Sequence, residues 1–211
     1  MVINTTKELE NRLRAILALK LRGLMNTITY TKEYFNGFSK VKFNRWILKH
    51  KKELSTGAIF TYTNKKMGKL IKHFTKKHII DENGFCPNHV GNIICIGTEV
   101  YVMNIMPPKN HITPLVDFLY NADFDYHIVT FEGINPEQYA IDSLKENNKP
   151  YGYISALTCA FKGLQWIPNR RNHCSEYFIK CLQNQGFYTD IKADDVSPIQ
   201  ALNLLMHNRL G

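Results

Sequence analysis

Residues 89–105 read His-Val-Gly-Asn-Ile-Ile-Cys-Ile, then Gly-Thr, then Glu-Val-Tyr-Val-Met-Asn-Ile. Two β-type runs flank a two-residue Gly97-Thr98 turn, the pattern of a hairpin. If Ile96 and Glu99 flank that turn, Gly91 lies opposite Asn104 and His89 opposite Met106. Strand side chains alternate between faces, so a one-residue slip would send each of them to the other side. In the expected register His89 and Asn104 are diagonal neighbours on one face, within reach of a side-chain hydrogen bond.

The flanking segments suit an antiparallel sheet mixed with helices, an α+β chain. Ser55-Thr56-Gly57 turns into a strand over Ala58–Tyr62, and His127–Phe131 is a further strand. Helices are predicted over Lys66–Thr75, Thr113–Tyr120 with Pro114 in its first turn, Pro136–Lys145, Tyr151–Phe161 and Asn172–Gln185, the last stopped by Gly186. Upstream, Thr5 and Glu8 read as a capping box ahead of an expected amphipathic helix over 6–25. A second helix is expected over Ser39–Lys52. The expected organisation is a basic helical N-terminal arm over 1–50 and a body over 51–211.

Charge is divided unevenly along the chain. Residues 1–80 hold 18 Lys and Arg against 4 acids, whereas 81–211 hold 9 against 14. A basic front on a mildly acidic body suits an anionic partner such as nucleic acid, a wall polymer, anionic lipid or an acidic protein. Arg45, Lys49, Lys51 and Lys52 are the first dense cluster. With 44% hydrophobic residues in 211, the chain can bury one ordinary core, which excludes a disordered or fibrous class. No apolar run reaches the roughly 18 residues of a spanning helix, and the first residues show no secretion signal. Five separated cysteines then fit free thiols in a reducing compartment, or association with a virion, better than a disulfide framework. Cys86 and His89 lack the second ligand pair of a metal site, so neither metal nor cofactor is expected.

The sharpest chemical feature is Asn172-His173-Cys174-Ser175-Glu176-Tyr177-Phe178. With Asn172 as N-cap, Cys174 falls in the first helical turn, where unpaired N–H groups and the positive dipole end favour thiolate. Glu176 suits the same turn as an acid supporting the helix start. Cys181, mid-helix among apolar neighbours, reads as an inert core thiol. A thiolate nucleophile needs a base, and His89, at the start of the hairpin, is the candidate, with Asn104 holding its imidazole. His173 is a rival base, but adjacent side chains at a helix start diverge.

These segments resemble the circularly permuted, YiiX-type branch of NlpC-like papain-fold hydrolases. Leu54-Ser55-Thr56-Gly57-Ala58-Ile59 resembles the family's L-x-P-G-D-I strand, and His89-Val90-Gly91 its HVG strand. Val100–Asn104 is similar to the strand ending in the third polar residue, and His173-Cys174-Ser175-Glu176 to its YCSE nucleophile helix. The likeness spans about residues 54–188, with Ala58 in place of the family's Asp, Asn104 in place of Glu and His173 in place of Tyr. It implies a papain-like fold, a central antiparallel sheet packed against the Cys-bearing helix. It also implies Cys174 as nucleophile, His89 as general base, Asn104 as orienting group, and a peptide, amide or acyl substrate. The alternatives are a catalytically silent scaffold of a virus or phage particle, docked to virion proteins through its basic region, and a nucleic-acid-binding protein.

Overall fold

The computed structural model describes residues 27–64, 66–75, 78, 84–160 and 171–207. The helix expected over 6–25 lies outside them. The fold is α+β, as the sequence predicts, and is built on one six-stranded sheet. The strands are β1 (Thr27–Thr31), β2 (Gly57–Tyr62), β3 (His89–Ile96), β4 (Glu99–Asn104), β5 (His111–Pro114) and β6 (Asp125–Phe131). Their order is β1-β6-β2-β3-β4-β5, and every neighbouring pair is antiparallel.

Helices cover both faces. They are α1 (Lys40–Lys49), α2 (Lys51–Leu54), α3 (Lys66–Thr75), α4 (Leu115–Tyr120), α5 (Pro136–Leu144), α6 (Tyr153–Ala160), α7 (Cys174–Gln183) and α8 (Pro198–His207). One face of the sheet presents Ala58, Phe60, Val90, Ile94, Met103, Val129 and Phe131 to a core shared with α5, α7 and α8. The other presents Ile59, Ile93, Val100, Val102, Tyr126 and Ile128 to a core shared with α1 and α4. Period-two alternation divides the two sets. Phe178 of α7 is fully buried and meets Phe60 and Phe131 edge-on, with centroids 5.8 and 6.1 Å away.

The expected boundary at residue 50 does not survive. Thr27–Thr31 is not part of a helical arm but the edge strand of the sheet, rich in the β-branched residues that suit a pleated surface. Ser39 caps α1 by accepting the Lys42 N–H at 3.3 Å, and Phe43, Trp46 and Ile47 bury its inner stripe. Trp46 packs edge-on against Tyr30 of β1 at 4.9 Å, so residues 27–50 belong to the same core as the body. The helix expected from Thr113 starts only at Leu115, because His111–Pro114 first pairs with β4 as the other edge strand. Pro114, lacking an N–H, suits that outer position. Helix α8 is an addition to the sequence reading. Its start is a capping box in which Ser197 N–H donates to Gln200 Oε1 at 3.1 Å.

Candidate active site

The hairpin register is the one its turn predicts: Ile96 pairs with Glu99 and Gly91 with Asn104. This sets His89, Gly91 and Asn104 on one face at the end of the sheet. Gly91 is required there. A Cβ at this position would sit 2.7 Å from Val102 Cγ1 and 3.3 Å from Asn104 Oδ1. The Asn104 amide nitrogen donates to Thr113 Oγ1 at 3.5 Å, which leaves its oxygen directed elsewhere. Of the two His89 ring nitrogens, Nε2 is the one enclosed without a partner, and Asn104 Oδ1 is enclosed without one as well. The two form a matched donor and acceptor, each with no other partner. Burial pushes the His89 pKa down to about 4, Asn104 pulls it upward, and His111 on β5 lowers it further.

Cys174 is the first residue of α7, and its side chain is buried. The helix start differs by one residue from the expectation. His173, in extended conformation, takes the cap position, and its N–H donates to the Glu176 carboxylate at 3.3 Å. Asn172 instead sits outside the helix and accepts from Lys180 Nζ at 2.7 Å. The reach of Glu176 back to His173 decides the boundary, because a longer acidic side chain at the third helical position satisfies that amide directly. Burial pushes the Cys174 thiol pKa up. The main-chain N–H groups of Val90, Ser175 and Cys174 and the Ser175 hydroxyl oppose this by favouring the thiolate.

The sulfur therefore reaches β3 at Val90, one residue past His89. Strand parity gives Val90 and Asn92 to the α7 side and His89 and Gly91 to the other. Cys174 and His89 thus flank the same end of β3 from two sides, and no hydrogen bond joins them among the described residues. Beside the sulfur lies a cavity of about 20 Å³, room for about one water, lined by Thr75, Asn88, Tyr151, Cys159, Cys174 and Ser197 among others.

A buried polar cluster beneath Cys174 was not anticipated. Ser155 of α6 lies 2.6 Å from His173 Nδ1 and donates to the Glu176 carboxylate, which is 3.1 Å from the same ring nitrogen. Lys180 Nζ closes the cluster at 2.6 Å from the other Glu176 oxygen. His173 Nε2 faces the Val196 carbonyl at 3.3 Å, so the ring is engaged on both sides. That makes His173 a structural residue of the helix start and not a base for its neighbour. Burial opposes ionisation of Glu176, but hydrogen bonds from His173, Lys180 and Ser155 prevail and hold its pKa down to about 2. Gly152, before α6, passes so close to the carbonyls of Arg171 and Asn172 that no side chain fits, and its N–H donates to Asn172 at 3.2 Å. The only sequence signal for this was the Tyr151-Gly152 pair, since such an approach is a tertiary property.

Cys181 hydrogen-bonds in the core. Asn92 Nδ2 lies 3.4 Å from its sulfur, and burial pushes its thiol up to about 12. Of the four bases expected to meet an anionic partner, Lys51 turns aside and donates to the Gly97 carbonyl at 2.8 Å, whereas Arg45, Lys49 and Lys52 are exposed. No helix among the described residues is long and apolar enough to cross a membrane. No family model and no curated protein matches this chain.

Proposed function

We propose that this chain is a cysteine-nucleophile hydrolase of the permuted NlpC-like, papain-fold type, acting on an amide, peptide or acyl bond. One observation carries the reading: His89 Nε2 and Asn104 Oδ1 are enclosed with no partner but each other, at the strand end beside the Cys174 sulfur. An Nε2–H directed at an amide oxygen fixes the tautomer that leaves Nδ1 free to take a proton. In the proposed cycle, Nδ1 of His89 accepts the Cys174 proton and the thiolate attacks the substrate carbonyl. The N–H groups of Cys174 and Ser175 at the helix start hold the oxyanion. The imidazolium then protonates the leaving group, and water attacks the acyl-thioester to regenerate the thiol. In the conformation described here both partners are neutral, Cys174 is enclosed and His89 lies across β3 from it, so the proposed cycle requires α7 and the end of β3 to shift to admit the ring and the substrate.

That enclosure favours a second reading, the catalytically silent scaffold. One experiment separates the two: iodoacetamide labelling of the five thiols at neutral pH, followed by mass spectrometry. The hydrolase reading expects Cys174 to label first, and at least tenfold more slowly in His89→Ala. Slow, indiscriminate labelling, unchanged in His89→Ala, would assign the scaffold role instead.

A further inference from the structure

The outward face of α1 and α2 combines bases with exposed aliphatic side chains. The two helices are nearly continuous, with His50 N–H bonded to the Trp46 carbonyl and Leu54 N–H to that of His50. At 100° per residue, Lys42, Arg45, Lys49 and Lys52 fall with Val41 and Leu48 in an outward arc of roughly 120°. The inward arc is Phe43, Trp46 and Ile47, already buried. Val41 and Leu48 are 60% and 56% exposed, high values for aliphatic side chains. The bases of this segment divide by position. Lys40, on the flank, pairs with Asp117 at 2.6 Å, and Lys51, on the flank, bonds the Gly97 carbonyl. The four on the outward arc form no ion pair among the described residues, and Glu53, the acid of α2, accepts from Tyr30 Oη at 3.2 Å. The fold thus uses the flanking bases internally and leaves the arc cationic.

We infer that this arc docks the protein onto an anionic lipid surface, with the four cations among the headgroups and Val41 and Leu48 dipping into the acyl boundary. Charge complementarity selects an anionic partner. The two aliphatic side chains select lipid over nucleic acid, because a phosphate backbone offers them nothing to replace lost water, whereas an interfacial helix buries just such residues. The inference stands independently of the hydrolase reading.

The test is co-sedimentation of the full chain with phosphatidylcholine vesicles, with or without phosphatidylglycerol. Binding is expected only with the anionic lipid. Arg45→Gln with Lys49→Gln should weaken it about 25-fold, from about fivefold per base removed near such a surface. Val41→Ser with Leu48→Ser should leave low-salt binding but abolish the part that persists once salt screens the charges. Both pairs change exposed residues, and an unaltered Tm confirms folding. Equal binding to neutral vesicles, or no loss in Arg45→Gln/Lys49→Gln, would overturn the inference. So would no vesicle binding together with tight binding to duplex DNA that Val41→Ser/Leu48→Ser leaves unchanged.

Discussion

Replacing Glu176 by Gln isolates the charge beneath the Cys174 helix. The Glu176 pKa is held at about 2 against an ordinary 4.5. The carboxylate is buried, so the shift converts to stability at about 1.36 kcal/mol per unit, about 3 kcal/mol in total. A depressed acid stabilises the fold above its ordinary pKa and loses that contribution as pH falls toward the folded value. The contribution is therefore full at pH 7, nearly full at pH 5, and about 1 kcal/mol at pH 3. Gln keeps the size of the side chain and can still accept from one donor. It leaves Lys180 and His173 facing an amide. Urea unfolding at pH 7 and pH 3, on wild type and Glu176→Gln, measures the difference directly, and other titrating groups cancel between the two proteins. A gap of about 3 kcal/mol at pH 7 that narrows by at least half at pH 3 is expected. A gap independent of pH would show that Glu176 acts through shape or neutral hydrogen bonding, and the electrostatic account of the cluster would fail.

His89 carries a linkage of the same sign in a higher pH window, although there it is the neutral form that the fold favours. Burial lowers its pKa from 6.5 to about 4, so the unfolded chain takes up its proton first and stability falls between those two values as pH drops. His89→Gln should flatten the unfolding free energy across that window, and an unchanged slope would contradict the burial. Gly91→Ala should destabilise by about 1–3 kcal/mol through overpacking against Val102, and should shift the Asn104 side-chain amide resonances in NMR spectra. A silent substitution there would mean that the end of the hairpin is looser than described. Phe178→Ala, removing a fully buried ring between the sheet and α7, is expected to cost about 3–5 kcal/mol in chemical denaturation. Tyr139→Phe removes the hydroxyl that donates to the Gly57 carbonyl at 3.1 Å. About 1 kcal/mol of destabilisation is expected, and a loss below the error of the melt would mean water replaces that bond.

Local pattern sufficed for the elements that carry the candidate site. The Gly97-Thr98 turn specifies the register by itself, since a two-residue turn admits one pairing, and with it the juxtaposition of His89 and Asn104. The position of Cys174 at a helix start was equally legible, because polar cap residues ahead of an apolar helical period are local signals. The cap itself was misplaced by one residue: Asn172 has the better intrinsic propensity, but the reach of Glu176 to the His173 amide outweighs it.

Other features had no local signature. Thr27–Thr31 joins the sheet because β6 offers it an open edge, and strand pairing between residues about 100 apart leaves little trace in a five-residue run. Strand parity relative to the Cys helix depends on which face α7 covers, so only the tertiary structure shows the sulfur meeting Val90 while His89 takes the other side. The Ser155–His173–Glu176 cluster and the bare approach of Gly152 arise where two successive helices, with contacting residues about 20 apart, fold back on one another. Sequence alone determines what each segment prefers and where it turns, because those choices are made within a few bonds. Which segments face one another, and which charges are left facing solvent, is decided by packing, where long-range contacts offset the entropy of bringing them together.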